Sequence, residues 1–202
     1  MMKRIFMFLV SLIVTAGSSF AQITFKNDRP EFLIQDKVVV SAPEEGLWSV
    51  ATGWQDDWMC EWKHADPQKV EKSGEWTVLS GKMSFDRGDL LLRDSYRQIR
   101  SGLVQCVRRY EWTGTETLPY VTLSVRWKMT GERMMPCLPG ILYYGNKNGA
   151  KVNPEIIPVY EGTEGEFAIF EEHRYPMPFA MLENAADGYA AALHTVPSPV
   201  RG

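Results

Sequence analysis

Short runs that alternate apolar and polar residues, cut at close intervals by turn residues, restrict this chain to β-structure. Between Pro119 and Met129, Val121, Leu123, Val125, Trp127 and Met129 alternate with Thr122, Ser124, Arg126 and Lys128. A strand points successive side chains to opposite faces, so this pattern gives one buried and one wetted face. Turn signals recur at Asp28-Arg-Pro, Ala42-Pro, Asp86-Arg-Gly-Asp, Thr113-Gly-Thr, Thr130-Gly-Glu and Gly145-Asn-Lys-Asn-Gly. Long stretches with a 3.6-residue period are missing, as are internal repeats. Strands are expected at Phe32–Val40, Leu47–Ala51, Glu75–Phe85, Asp89–Arg100, Leu103–Trp112 and Pro119–Met129. Others are expected at Gly140–Tyr144, Ile156–Tyr160, Phe167–Arg174, Phe179–Glu183 and Tyr189–Thr195. Leu103–Trp112 is expected to form a hairpin with Pro119–Met129, with Val104, Cys106, Tyr110 and Trp112 on one face. The expected fold is all-β: a large two-sheet antiparallel β-sandwich with little helix.

The N-terminus reads as a secretory leader. Lys3 and Arg4 precede the apolar run Ile5–Val14, and small residues follow up to Ser19-Phe20-Ala21. Cleavage is expected before Gln22, which makes 1–21 a signal peptide and 22–202 a β-sandwich domain, secreted or periplasmic. The apolar run is about half of the roughly 20 residues that a membrane span needs. Without its first 21 residues the chain keeps 20 basic and 25 acidic residues, a net charge near −5. No basic cluster stands out, which argues against nucleic acid or a membrane as partner. The C-terminal Pro197-Ser-Pro199 reads as a linker, so the domain is expected to be the first of a longer protein. Cys60, Cys106 and Cys137 permit at most one disulfide between them, and their spacing matches no metal site; no cofactor is expected.

Compact catalytic motifs are absent: there is no Gly-x-Ser-x-Gly elbow, phosphate loop, dinucleotide fingerprint or His-Glu-x-x-His pair. Three constellations remain. In Phe167–Phe179, a strand apolar on both faces ends in Glu171-Glu172-His173-Arg174 and then Pro176-Met-Pro178. Alternation places Glu171 with His173 and Glu172 with Arg174, so the adjacent carboxylates cannot flank one glycosidic bond. An ion pair between Glu172 and Arg174 is the structural alternative. The second constellation is Trp54-Gln-Asp-Asp-Trp58-Met-Cys-Glu-Trp62. Here Trp58 and Trp62 are expected on the face of Cys60, with Asp57 and Glu61 opposite. Tryptophan beside carboxylate grips sugars, because the ring stacks on a pyranose and the carboxylate accepts from hydroxyls, although buried sandwich tryptophan also explains the pattern. Trp54, Asp57 and Trp58 are the candidate sugar contacts. In the third, Tyr143-Tyr144-Gly145-Asn146, one tyrosine shares the rim with the turn; Tyr144 and Asn146 are the candidates. The triplet Arg87-Gly88-Asp89 is accounted for by a turn with Gly88 in the left-handed position.

Leu138–Asn146, Glu171–Phe179 and Ala192–Pro199 together resemble the N-terminal supersandwich-like β-domain of secreted bacterial polysaccharide-degrading enzymes. In that family the sandwich precedes an α/α toroidal barrel, packs against it and lends loops to the substrate rim. The resemblance implies a glycoside hydrolase context, or otherwise a polysaccharide lyase, with the catalytic carboxylates on the barrel. It assigns Glu171, Glu172, His173, Arg174, Tyr144 and Asn146 to the rim or domain interface. The expected partners are a polysaccharide or oligosaccharide and a following catalytic domain. The rival readings are a free-standing secreted carbohydrate-binding protein and a structural module without a ligand.

Overall fold

The structure, a computed structural model, describes residues 5–15, 21–55, 58–131, 134–137 and 179–195. Among these residues the regular structure is strand throughout, and every pairing is antiparallel. No helix among them is long and apolar enough to cross a membrane.

One layer is an eight-stranded sheet. Its middle holds β1 (Ile5–Thr15), with β10 (Leu103–Trp112), β9 (Gly88–Arg100), β8 (Trp76–Phe85) and β7 (Lys69–Ser73) in turn on one side. On the other side lie β15 (Tyr189–Thr195), β14 (Phe179–Asn184) and β13 (Met134–Cys137). The opposing layer has two parts. β2 (Ala21–Lys26), β3 (Arg29–Ile34) and β4 (Lys37–Ser41) form a meander, and β5 (Trp48–Gln55) pairs with β6 (Trp58–Ala65). One extended stretch joins them: β11 (Thr122–Leu123) pairs with β5, and β12 (Lys128–Met129) pairs with β4.

The core lies between the layers. Phe32, Val39, Val40, Trp48 and Val50 from one side meet Leu79, Leu92, Tyr96, Val104 and Tyr110 from the other. Trp127 closes the seam, edge-on to Phe32 at 5.1 Å and to Tyr96 at 6.4 Å between ring centroids. Such contacts contribute roughly 0.5–1.5 kcal/mol each beyond the area they bury.

The expected two-layer all-β architecture is the observed one, and β5, β8, β9, β10, β14 and β15 fall where alternation placed strands. Two assignments need correction. Phe32–Val40 is not one strand, because Gln35 and Asp36, with φ of 49° and 63°, turn the chain between β3 and β4. Positive φ at both central residues is the mark of a type I′ hairpin turn, also seen at Asn27 and Asp28. Nor does Leu103–Trp112 pair with Pro119–Met129; its neighbours are β9 and β1. The loop after Trp112 carries the chain into the other layer, where the predicted alternation holds. Val121, Leu123, Val125, Trp127 and Met129 pack on the core, while Arg126 and Lys128 pair with Glu45 and Glu44. The expected strands at Gly140–Tyr144, Ile156–Tyr160 and Phe167–Arg174 lie outside the described residues.

Candidate functional site

The exposed aromatic rings among the described residues gather at the three-stranded sheet β11-β5-β6. They are Trp54 at 50% exposure, Trp62 at 37% and Tyr120, just before β11, at 72%. β5 begins in the core, with Trp48 to Ala51 buried, and runs out of it toward Gln55, so Trp54 stands free at its end. Trp62 pairs with Ala51, a position of opposite parity from Trp54. Tyr120 lies two residues before Thr122, which pairs with Ala51. Tyr120 has a φ of 57°, a conformation uncommon for a bulky residue and concentrated where function requires it.

Charged and polar groups surround Trp62. The Arg126 guanidinium lies 5.6 Å from its ring centroid and donates to Ser49 Oγ at 3.2 Å and to Glu45 at 3.1 Å. Ser49 Oγ is 2.9 Å from His64 Nδ1, and Ser124 Oγ donates to the Ser49 carbonyl at 2.7 Å. A hydrogen bond from its own backbone N–H, then Arg126, holds the Glu45 carboxyl below the usual carboxylate range. A serine beside a histidine invites comparison with a nucleophile and its base. Ser49 is only 2% exposed, however, and its oxygen already accepts from Arg126, so no substrate carbonyl can reach it. Its role is to fix His64 and Arg126 at the surface.

Beneath this face lies a second polar group that sequence reading missed. Arg108, on the same alternation as Val104, Cys106 and Tyr110, is buried and grips Asp94 through two hydrogen bonds of 2.9 and 2.7 Å. Tyr96 donates to Asp94 at 2.7 Å, and both Arg108 and Tyr110 donate to the Ser124 carbonyl, at 3.2 and 3.0 Å. Burial, then the negative charge of Asp94, pushes the Tyr96 phenol and the Cys106 thiol well above their ordinary ranges. Burial likewise raises Tyr110. Burial opposes the charge on Arg108, but Asp94 outweighs it and the guanidinium is held more firmly protonated. A thiol raised in this way is no nucleophile. Parity alone could have placed Arg108 on the buried face, since it stands two residues from both Cys106 and Tyr110, but not its pairing with Asp94.

Of the predicted sugar contacts, Trp54 is exposed as described, and Trp58 opens β6 opposite Gln55. Asp57, Tyr144, Asn146, Glu171, Glu172, His173 and Arg174 lie outside the described residues. Glu61 does not stand opposite Cys60. With a φ of 55° its side chain turns back, so that its Cδ and the Cys60 Sγ crowd the same side of Gly53. The three cysteines are free thiols. Among the described residues no group of three or more His, Cys, Asp or Glu is placed to hold a metal ion.

Comparison with models of known families, with characterised proteins and with solved structures gives no match to this chain.

Proposed function

We propose that this chain is the non-catalytic β-sandwich of a secreted carbohydrate-active enzyme of glycoside hydrolase type, and that it touches the polysaccharide through the face of β11-β5-β6 that carries Trp62. One observation carries this reading: Trp62 is exposed beside Arg126, His64 and Glu45, at a small sheet where Tyr120 is exposed too, while Trp54 stands exposed on the opposite face. Flat rings stack on the apolar faces of pyranoses, while ionised groups held by a rigid framework hydrogen-bond the hydroxyls. The sheet is rigid on one side because Trp48 and Val50 anchor β5 in the core. Bond cleavage belongs in this reading to a neighbouring catalytic domain. The run Glu171–Arg174, with Tyr144 and Asn146, is assigned to the interface with that domain on sequence grounds alone. Export through the leader Met1–Ala21 is part of the same proposal.

The test is a glycan array followed by titration calorimetry on soluble oligosaccharides. Trp62→Ala and Tyr120→Ala are each expected to weaken binding at least about tenfold, the equivalent of about 1.4 kcal/mol per ring, while Trp54→Ala, on the other face, leaves it unchanged. If no glycan binds, or if binding survives Trp62→Ala and Tyr120→Ala unchanged, the reading is wrong.

A further inference from the structure

The segment that reads as a removable leader is also the middle of the larger sheet. Ile5–Ile13 pairs with Glu111–Leu103 of β10 over nine positions, and Val10–Thr15 pairs with Thr195–Ala190 of β15 over six. From Val10 to Ile13 the segment is paired on both sides. One alternation of its sequence is wholly apolar, Phe6, Phe8, Val10, Leu12 and Val14, and the other, Ile5, Met7, Leu9 and Ile13, is interrupted only by Ser11 before it ends at Thr15. A central strand covered on both faces has that composition.

We infer that, once the leader is gone, β10 and β15 bound a slot one strand wide that accepts an apolar β-strand donated by a polypeptide outside this module. The inference rests on the export reading above. β10 and β15 both run antiparallel to β1 and are therefore parallel to each other. To close directly they would have to move together by about one strand spacing, roughly 4.8 Å, and find a new parallel register. Left open, each presents a row of unpaired N–H and C=O groups inside the sheet, and a buried backbone group denied a partner is destabilising. Such a row is a template for strand addition, in which main-chain hydrogen bonds supply affinity and alternate side chains supply specificity. Inward positions of β10, Val104, Cys106 and Tyr110, already belong to the core, and β15 lines the other wall with the small, buried Ala191 and Ala192. β1 shows what fits: about nine extended residues, mostly apolar at both alternations, antiparallel to β10.

The experiment begins with the full chain expressed for export and the N-terminus of the recovered protein read by mass spectrometry. Backbone amide exchange is then followed with and without a lysine-flanked peptide carrying Ile5–Thr15. In protein beginning at Gln22, the alternate amides of Leu103–Glu111 and Ala190–Thr195 that point toward the slot, and not those bonded to β9 and β14, are expected to exchange at least about 100-fold faster than those in the middle of β9. The peptide restores protection, and its Leu9→Pro variant does not. Full protection in a peptide-free monomer means that the chain fills its own slot and overturns the inference. Protection in a dimer that the peptide cannot displace gives the slot to a second copy and does the same. If the shortened protein does not fold, the full chain is folded first and cut at a protease site inserted between Thr15 and Ala21. The freed fragment should then stay bound and exchange with labelled peptide; its release with β10 and β15 still protected refutes the slot. An N-terminus at Met1 defeats the export reading, while the cut-chain arm still tests the slot.

Discussion

At position 108 a guanidinium occupies a face that alternation reserves for apolar side chains. It is tolerable there because Asp94 supplies both oxygens, and because Tyr96 and the Ser124 carbonyl complete the hydrogen bonding. Replacing one buried ion with a neutral group leaves its partner uncompensated. Arg108→Met or Asp94→Asn alone should therefore cost about 3–5 kcal/mol in urea unfolding. The triple variant Asp94→Leu, Tyr96→Phe, Arg108→Met removes every charge and the orphaned hydroxyl together, and should return to within about 2 kcal/mol of the parent. Equal losses in the single and triple variants would show that packing volume, not charge pairing, governs this site. The contact to Ser124 gives the pair a directional role, since it ties the crossing stretch between β11 and β12 to the larger sheet.

Hairpin turns at the element scale follow local chemistry with one exception of interest. Gly88, after the two-residue turn between β8 and β9, has a φ of 153° and not the left-handed value expected for it. Its need for glycine also arises elsewhere: a Cβ there would sit 2.6 Å from the Gly114 backbone. Gly74, in the turn between β7 and β8, has a φ of 59° and open space around it. Gly74→Ala should thus cost only the backbone term, about 1–2 kcal/mol. Gly88→Ala should add overpacking of about 1–3 kcal/mol to its own backbone strain. Thermal unfolding of the two variants separates the cases, and equal shifts would remove the steric argument.

Across the whole molecule, the layers meet through a seam that contains three acids raised by burial: Tyr96, Tyr110 and Cys106. Each holds its proton more tightly folded than unfolded. Their contribution is therefore complete below the ordinary Cys and Tyr ranges and is lost as pH climbs through and beyond them. Stability should fall from about pH 9 upward, by as much as about 1.4 kcal/mol per pH unit for each group that titrates only when unfolded. Urea midpoints between pH 8 and 11 would check this, and Tyr96→Phe should flatten the fall; parallel curves for parent and variant would contradict it. Period-two alternation and closely spaced turn residues were enough to read the β-class and six of the strands, because both are local properties of the backbone. The exposed Trp54 was legible for the same reason. Arg126 was not, because its proximity to Trp62 and Ser49 depends on a loop that carries the chain from one layer to the other. Pairing partners, the buried Asp94–Arg108 pair and the seat of Ile5–Thr15 between β10 and β15 were decided only by the tertiary structure. A strand's sequence fixes which residues share a face, but the edge it joins is chosen by the hydrogen bonds and packing of residues distant along the chain.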